Sequence, residues 1–330
     1  LKIKKLILSI EYLYFVFYAL GLAFLSKPKW IYVDDPMAAP IGLILCLMGF
    51  QVAYHEHDSP DEKPLSVYDK LLMWCRRQLA RRARFNVLPQ QVRCNLFKAS
   101  TGTTRPVLCV MNCPRLNEIS PLSRPARQPS QPLGIYYHGS INLTRLPLSL
   151  IEAAGSSGLP ICLRVVGYET VGSLGASESL RRAAQRFSST LQLELPGPSS
   201  RETLFGQMAD MHVGWIAYRE EDTDINLRHL AGASNKAFDY LAAGLPLLVN
   251  NSPEWHELFV AKGVALPCDL NDNLSQVESI RQQLLWAYEH AQDLAVMGER
   301  GRQLDLKEWN YEHQFEPIAA ILAQSDARRR

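Results

Sequence analysis

Short apolar runs alternate with longer amphipathic stretches along most of the chain. In the first third, apolar runs at 30–33 and 51–54 predict strands, and the stretches at 37–48 and 65–84 predict helices. After residue 133 the alternation becomes regular. Strands that alternate with helices of this length form parallel βαβ units, so the pattern predicts an α/β fold.

The second half of the chain carries the most regular pattern. Strands are predicted at 134–138, 161–167, 191–195, 213–218, 246–250 and 264–267, and helices at 145–155, 176–187, 201–211, 234–243, 254–262 and 274–291. Six such units predict a doubly wound, Rossmann-like sheet.

A polar, proline-containing segment separates the two halves. Residues 117–132 carry four prolines and few large apolar side chains, which is typical of a linker. We therefore expect a first domain at 1–116 and a second at 133–305. The remaining stretch, 306–330, predicts a C-terminal helix.

The longest apolar stretch lies near the start of the chain, at 6–25. Its length would just span a bilayer, but Glu11 and three tyrosines lie within it. These residues favour a buried or membrane-surface helix over a membrane-spanning one. The sequence begins with leucine, so we expect that a preceding piece is missing.

Composition narrows the class of protein. The chain has 330 residues and a formal charge of +2, which gives no reason to expect nucleic acid as a partner. Its seven cysteines are scattered without a Cys-x-x-Cys pair, which argues against a disulfide framework and a zinc site. Free cysteines are typical of a reducing compartment, so we expect a cytoplasmic protein.

The segment 233–246 is the most informative candidate site. Ser234 or Asn235 is a good N-cap residue, and Lys236 and Asp239 lie on one face of the helix that follows. A lysine beside free helical N–H groups suits a diphosphate, and a carboxylate suits the two hydroxyls of a ribose. The same residues also fit an ordinary surface Lys–Asp pair on a capped helix.

Glycines lie at the ends of the first two predicted strands of the second domain. Gly139 and Gly167, the latter followed by Tyr168, would let a phosphate or a sugar approach the backbone closely. An ordinary βα turn explains them equally well.

Two histidines follow the second strand of the first domain. His55 and His57 would share a side only if the strand continued, and no further ligand cluster is visible in the sequence. We therefore favour a hydrogen bond to a sugar and expect no metal. The arginines of the next helix, from Arg76 to Arg84, fit a solvated face or a contact with anionic lipid.

Together these segments resemble the retaining, family 4 type glycosyltransferases of GT-B architecture. The most specific match is SNKAFDYLAAGLPLLV at 234–249, which resembles the donor-binding segment of that family. It is supported by YYHGS at 136–140, VVGYE at 165–169 and YHEHDS at 54–59. The resemblance covers about residues 30–325 and implies two Rossmann-like domains, of which the N-terminal one is expected to be incomplete.

The resemblance also implies roles for individual residues. Asp239 matches the acidic residue that holds the donor ribose, where the family usually has Glu. Ala231 occupies the position of an earlier Glu near the transferred sugar. Ser140 replaces a diphosphate-binding Arg, while Arg145 and Lys236 supply positive charge.

His57 matches the histidine that contacts the donor sugar, and we assign it the catalytic role. The implied reaction is transfer of a sugar, with retention, from a nucleoside-diphosphate sugar to a glycan or lipid-linked acceptor, without a cofactor. A membrane surface is a further expected partner, so we place the protein in the cytoplasm, at the inner face of the membrane.

Two alternatives remain open. A sugar-nucleotide epimerase shares this architecture and would use Glu56, His57 and Asp58 as acid and base. A non-catalytic sugar-nucleotide-binding or scaffold protein fits the missing N-terminal units and the alanine at 231.

Overall fold

A computed structural model describes residues 2–60, 66–121, 123–218, 224–270 and 275–327. These residues form two compact units. Unit 1 comprises Leu1–Met111, Thr223–Ala233 and Pro317–Arg330, and unit 2 comprises Asn112–Asp222 and Ser234–Glu316.

Unit 1 contains a four-stranded parallel sheet. The elements up to Met111 are α1 (Lys2–Ser26), β1 (Ile31–Asp34), α2 (Ala39–Leu47), β2 (Val52–His55), α3 (Val67–Arg82), β3 (Phe85–Leu88), α4 (Gln91–Thr101) and β4 (Val107–Cys109). The strands lie in the order β1-β2-β3-β4, and each pairs with the next in parallel. Apolar side chains from the sheet and from α1 to α4 form one core.

Unit 2 contains a six-stranded parallel sheet. Its elements begin with β5 (Leu133–Ile141), α5 (Leu148–Ser156), β6 (Ile161–Glu169), α6 (Ala176–Gln185), β7 (Leu191–Gly197), α7 (Arg201–Leu204) and β8 (Val213–Trp215). After α8 (Ile225–Arg228) of unit 1 they continue with α9 (Asn235–Ala242), β9 (Leu247–Asn250), α10 (Pro253–Trp255), β10 (Ala265–Cys268), α11 (Gln276–Glu289) and α12 (Ala291–Lys307). The last helix is α13 (Tyr311–Ala327).

The strand order of unit 2 is β7-β6-β5-β8-β9-β10, which is the 3-2-1-4-5-6 order of a doubly wound Rossmann sheet. Strands such as β9 are buried on both faces, as expected when helices cover both sides of a parallel sheet. The predicted α/β class with two Rossmann-like sheets is confirmed.

Several element boundaries differ from the sequence prediction. Strands β5 and β6 continue past the glycines that were interpreted as strand ends, because Gly139 pairs with Gly167 and Ser140 with Tyr168 in the ladder. Helix α5 accordingly begins at Leu148, and Arg145 lies in the preceding turn. The predicted helix at 201–211 is reduced to α7 and a 3₁₀ turn, and α12 was not predicted at all.

The proline-containing segment at 117–132 packs against unit 2. Arg124 donates to the carbonyl oxygens of Ala243, Ala209 and Met211. Arg127 donates to the carbonyl oxygen of Tyr288, and its guanidinium lies 3.9 Å from the centre of the Tyr288 ring. The segment predicted as a linker is thus tied to the second domain by two arginines.

Helix α1 contains the long apolar stretch. Its described side chains include large exposed ones, such as Tyr14, Phe17 and Leu25. Among the helices of the described residues, none is both long enough and apolar enough to cross a membrane.

Candidate functional site

The candidate donor site lies at the point where the strand order of unit 2 reverses. Strand β5 pairs with β6 on one side and with β8 on the other, so the chain leaves β5 and β8 toward opposite faces of the sheet. Ligands of open α/β sheets bind at the carboxyl ends of such strands. Helix α9, which follows β8 in the strand-helix order of unit 2, brings Lys236 to the carboxyl end of β5.

Gly139 makes room for Lys236. A Cβ atom at Gly139 would lie 2.7 Å from Lys236 Cε and 3.3 Å from its Nζ, and the φ angle of +121° is one that residues with side chains rarely adopt. Gly167 is the partner of Gly139 in the β5–β6 ladder. A Cβ atom at Gly167 would lie 1.8 Å from the carbonyl oxygen of Gly139. Close packing against backbone therefore requires the glycine at 167, and the backbone conformation favours the glycine at 139.

The ammonium group of Lys236 lies in an environment that disfavours its charge. Burial, followed by the nearby positive charge of Arg145, lowers the pKa of Lys236 to about 7, while Asp239 acts in the opposite direction. The Nζ atom lies 5.7 Å from the centre of the Tyr137 ring. Lys236 and Arg145 thus form a positive region, and among the described residues no carboxylate pairs with Lys236 Nζ, so an anion would fit there.

Asp239 lies on the same helix, one turn further on, and is 3% exposed. Its Oδ2 accepts a hydrogen bond of 2.7 Å from Arg201 Nη1 and lies 3.3 Å from His138 Nε2. Burial raises the pKa of Asp239, but the hydrogen bonds from His138 and Arg201 outweigh it and hold the pKa below its ordinary value. The sequence suggested a pair with Lys236; the observed partners are Arg201 and His138.

Arg201 connects Asp239 to the segment before the sheet. Its Nε donates to Glu118 Oε1 at 2.7 Å, so one guanidinium bridges two carboxylates. Glu118 in turn accepts from the backbone N–H of Arg115. Neither Arg201 nor Glu118 was singled out from the sequence, and the local signal was the placement of Arg201 at the first position of α7, after β7.

His138 is a third residue of this site that was not assigned to it from the sequence. Burial lowers its pKa, although Asp239 favours its charged form. Its Nδ1 is buried without a hydrogen-bond partner among the described residues, and its backbone N–H donates to the hydroxyl of Tyr240 at 3.0 Å. His138 thus connects β5 to α9 through its contacts with Tyr240 and Asp239.

The remaining predicted donor residues differ in their surroundings. Ser234 occupies the N-cap position of α9, but its side chain makes no capping bond, and its buried Oγ has no hydrogen-bond partner among the described residues. Asn235 is exposed, and Tyr168 is 60% exposed. Ser140 accepts a hydrogen bond of 2.7 Å from the Tyr137 hydroxyl through its backbone oxygen.

His57 of unit 1 follows β2, as predicted. The backbone N–H groups of His57 and Asp58 both donate to Asp35 Oδ1, at 3.0 and 3.2 Å. The imidazole lies beside that of His55, with ring centres 3.8 Å apart and the planes tilted by 36°, and its Nε2 lies 3.7 Å from Asp34 Oδ1. The two histidines therefore do lie on one side.

Glu56, which lies between the histidines, is fully buried. Arg76 donates to both of its carboxylate oxygens, at 2.6 and 2.8 Å, and the Tyr54 hydroxyl donates to Oε2 at 2.9 Å. The interpretation of Arg76 as part of a solvated face was wrong, because this arginine is 4% exposed and holds the buried glutamate. Glu56 is likewise a structural group and is not available as the acid or base of an epimerase.

The sequence matches no protein-family profile and no curated protein. Solved structures, in contrast, resemble most of the chain. The Anabaena protein HepE in complex with UDP matches with a TM-score of 0.71 at 14% identity, over 94% of this chain and 82% of that chain. Sucrose-phosphate synthase from Thermosynechococcus elongatus matches with a TM-score of 0.67 at 14% identity, over 95% of this chain and 78% of that chain.

A glycosyltransferase from Rickettsia africae matches with a TM-score of 0.71 at 8% identity, over 94% of this chain and 80% of that chain. HepE has also been solved with UDP-glucose. At these identities the likeness establishes the fold, which is the GT-B fold of two Rossmann-like domains.

Proposed function

We propose that this protein is a glycosyltransferase that transfers a sugar from a nucleoside-diphosphate sugar. The observation that carries the proposal is the arrangement at the end of β5, where Lys236 lies against Gly139 and Asp239 is buried one turn further along α9. A cation beside a side-chain-free backbone fits a diphosphate, and a buried carboxylate beyond it fits a ribose. The fold shared with glycosyltransferases agrees with this assignment.

The donor would bind with its diphosphate at Lys236 and Arg145. These groups stabilise the negative charge that develops on the leaving nucleoside diphosphate, together with the N–H groups at the start of α9. Asp239 would accept hydrogen bonds from the ribose hydroxyls. Asp239 Oδ2 already accepts a hydrogen bond from Arg201. The ribose hydroxyls would therefore donate to Asp239 Oδ1, or to Oδ2 alongside the Arg201 guanidinium.

We further propose that transfer proceeds with retention and that His57 hydrogen-bonds the transferred sugar. Lys236 and Arg145 would supply the leaving-group stabilisation, so this scheme assigns no step to a metal ion or a carboxylate nucleophile. Retention is tested by following the anomeric configuration of the product by NMR. A product with inverted configuration would contradict this part of the proposal.

For the acceptor we propose a glycan or lipid-linked saccharide at a membrane surface. Exposed aromatic and aliphatic side chains on α1, among them Tyr14, Phe17 and Leu25, support this choice, because such side chains enter the interfacial region of a bilayer. Cosedimentation with vesicles tests it. Replacing Phe17 and Leu25 by serine should reduce the bound fraction without changing the affinity for the donor.

One rival from another class remains specific enough to test. A scaffold that binds a sugar nucleotide without turnover fits the alanine at 231, where a sugar-contacting glutamate is expected. It predicts donor binding with no loss of the sugar from the nucleotide, whereas a transferase releases the nucleoside diphosphate when acceptor is present.

The deciding experiment is calorimetric titration of the full chain with nucleoside diphosphates and their sugar conjugates. UDP and UDP-glucose come first, because HepE has been solved with both. Binding of one nucleotide that is lost in Asp239→Ala supports the proposed site. Failure of every nucleotide to bind a folded protein would overturn it.

A further inference from the structure

Three metal-ligating side chains meet at the carboxyl ends of β1 and β2 in unit 1. Asp34, His55 and His57 each offer a donor atom, and these three atoms lie within 4.8 Å of one another. Asp34 is the last residue of β1 and His55 the last of β2, and the two are register partners in the parallel ladder. The sequence concealed this group, because Asp34 belongs to a different strand from the histidines.

The surroundings hold these side chains in place. Asp35 accepts hydrogen bonds from the backbone N–H groups of His57 and Asp58, which fixes the turn that carries His57. The Tyr32 hydroxyl lies 2.8 Å from His55 Nδ1. When Nδ1 carries the proton and donates to Tyr32, the lone pair of Nε2 faces the other way, as in metal-bound histidines whose second nitrogen is hydrogen-bonded.

A second observation points to a ligand at this position. His55 is 8% exposed, and its Nε2 is buried without a hydrogen-bond partner among the described residues. A buried polar atom that lacks a partner is costly, and native structures rarely tolerate one without a reason. A metal ion would satisfy this nitrogen and would also bind the neighbouring His57 and Asp34.

We propose that Asp34, His55 and His57 bind one divalent first-row transition-metal ion, with Zn²⁺ as the reference ion. Two imidazoles and one carboxylate suit zinc and the neighbouring transition metals, whereas Mg²⁺ and Ca²⁺ prefer all-oxygen sites. Three protein ligands leave at least one position for water or another small ligand.

The spacing requires only a local adjustment. Zinc bonds of about 2.0–2.2 Å place neighbouring ligand atoms roughly 3–3.5 Å apart. His57 Nε2 and Asp34 Oδ1 are already 3.7 Å apart. The neighbouring rings of His55 and His57 would adjust slightly. The exposed side chains of His57 and Asp34 can make that movement because neither is packed in the core.

Metal binding has a consequence that rests on the proposed transferase function. Zinc would occupy His57 Nε2, which the transferred sugar would otherwise contact. Zinc should therefore inhibit transfer while leaving the affinity for the nucleoside diphosphate unchanged, since that affinity depends on Lys236 and Asp239 of unit 2.

The test is calorimetric titration of the full, chelator-treated chain with Zn²⁺. We expect one equivalent to bind and the affinity to fall at least tenfold in Asp34→Asn, whose side chain is exposed and not needed for the core. His55→Ala should abolish the site, and His256→Ala, an exposed histidine elsewhere, should leave it intact. Equal zinc affinity in wild type and Asp34→Asn would overturn the proposal.

A Co²⁺ spectrum separates this site from the seven cysteines, because only thiolate ligands give a sulfur-to-metal charge-transfer band. The proposed site predicts d–d bands without that band, and a strong charge-transfer band that survives in His55→Ala would overturn the assignment. Urea denaturation of each variant reports its folding independently of any nucleotide, so loss of zinc binding with an unchanged urea midpoint concerns the metal site alone.

Discussion

At the scale of single residues, Asp239 and Arg201 decide the chemistry of the candidate donor site. Together with His138, the arginine holds the pKa of the buried carboxylate below its ordinary value, and it links the carboxylate to Glu118. A buried carboxylate with no such partner would take up a proton and become a poor acceptor for ribose hydroxyls. Arg201 is therefore a positioning residue for the proposed donor site.

Asp239→Ala should reduce the affinity for UDP about 100-fold, because charge-assisted hydrogen bonds to the ribose contribute roughly 1.5–3 kcal/mol and their loss leaves Arg201 unpaired on that side. Calorimetry measures the change. Asp293→Ala replaces an exposed aspartate and serves as the control. Unchanged affinity in a folded Asp239→Ala protein would refute the ribose assignment.

Lys236 makes donor binding sensitive to pH. Its pKa of about 7 in the free protein means that the ammonium form is lost as the pH rises above neutrality, and a bound diphosphate should restore it. Affinity for UDP-glucose should therefore fall with increasing pH above about 7, by up to about tenfold per pH unit, with uptake of a proton on binding.

Titration in two buffers of different ionisation enthalpy measures this proton uptake. The Lys236→Met variant should bind UDP-glucose more weakly and should take up no proton at this position on binding. A wild-type affinity that stays constant between about pH 6 and about pH 9 would contradict a lowered Lys236 pKa coupled to diphosphate binding.

Single residues also show where sequence reasoning reached its limit. The lysine and aspartate of α9 could be predicted because a local segment carries both. Arg201 and Glu118 could not, since 83 positions separate them and no periodic pattern links them. Asp34 was missed for the same reason, because parallel pairing brings it beside His55 from a separate strand.

At the scale of elements, the contact between β5 and β6 is the tightest constraint near the site. Gly167→Ala should destabilise the protein by at least about 3 kcal/mol, because its Cβ would overlap the backbone oxygen of Gly139, which cannot rotate away. Urea denaturation measures the loss. Gly172→Ala, which meets no atom within 4 Å, should change stability by less than about 1 kcal/mol.

Helix α3 is fixed to the end of β2 by the buried pair of Arg76 and Glu56. Arg76→Met should cost roughly 3–5 kcal/mol, because it leaves a fully buried carboxylate without its counter-charge. Arg77→Met, at the exposed neighbouring position, is the matched control. Similar urea midpoints for the two variants would show that the pair is not needed for stability.

Element length did not decide which elements the sequence predicted. The four-residue strands β1, β2, β9 and β10 were predicted, whereas the strands β3 and β4 and the 17-residue helix α12 were not. The glycines in β5 and β6 were interpreted as strand ends because glycine usually interrupts a strand. Here the two strands continue as a pair, and the glycines allow the close approach.

At the scale of the whole molecule, the alternation of strands and helices was sufficient to predict two parallel sheets. Right-handed crossovers then permit few strand orders, and the observed order of unit 2 is a common one. The assignment of Thr223–Ala233 to unit 1 could not be predicted, because it depends on long-range packing.

The two units should respond to different ligands. By hydrogen exchange, UDP should protect amides at the end of β5 and in the first turn of α9 most strongly, since bound ligand suppresses local opening. Zinc should protect the amides that follow β2 in unit 1. If UDP protected mainly the amides at the end of β2, the nucleotide would bind in unit 1, and the proposed donor site in unit 2 would be contradicted.

The attachment of the segment at 117–132 has a consequence for how this protein tolerates mutation. Arg124 and Arg127 bind backbone carbonyl oxygens, and every amino acid supplies the same carbonyl. Side-chain changes at the accepting positions therefore leave the acceptors in place, whereas loss of either arginine removes a whole set of bonds at once. The hydrogen bonds of this contact therefore depend on the two arginine side chains and not on which side chains the accepting residues carry.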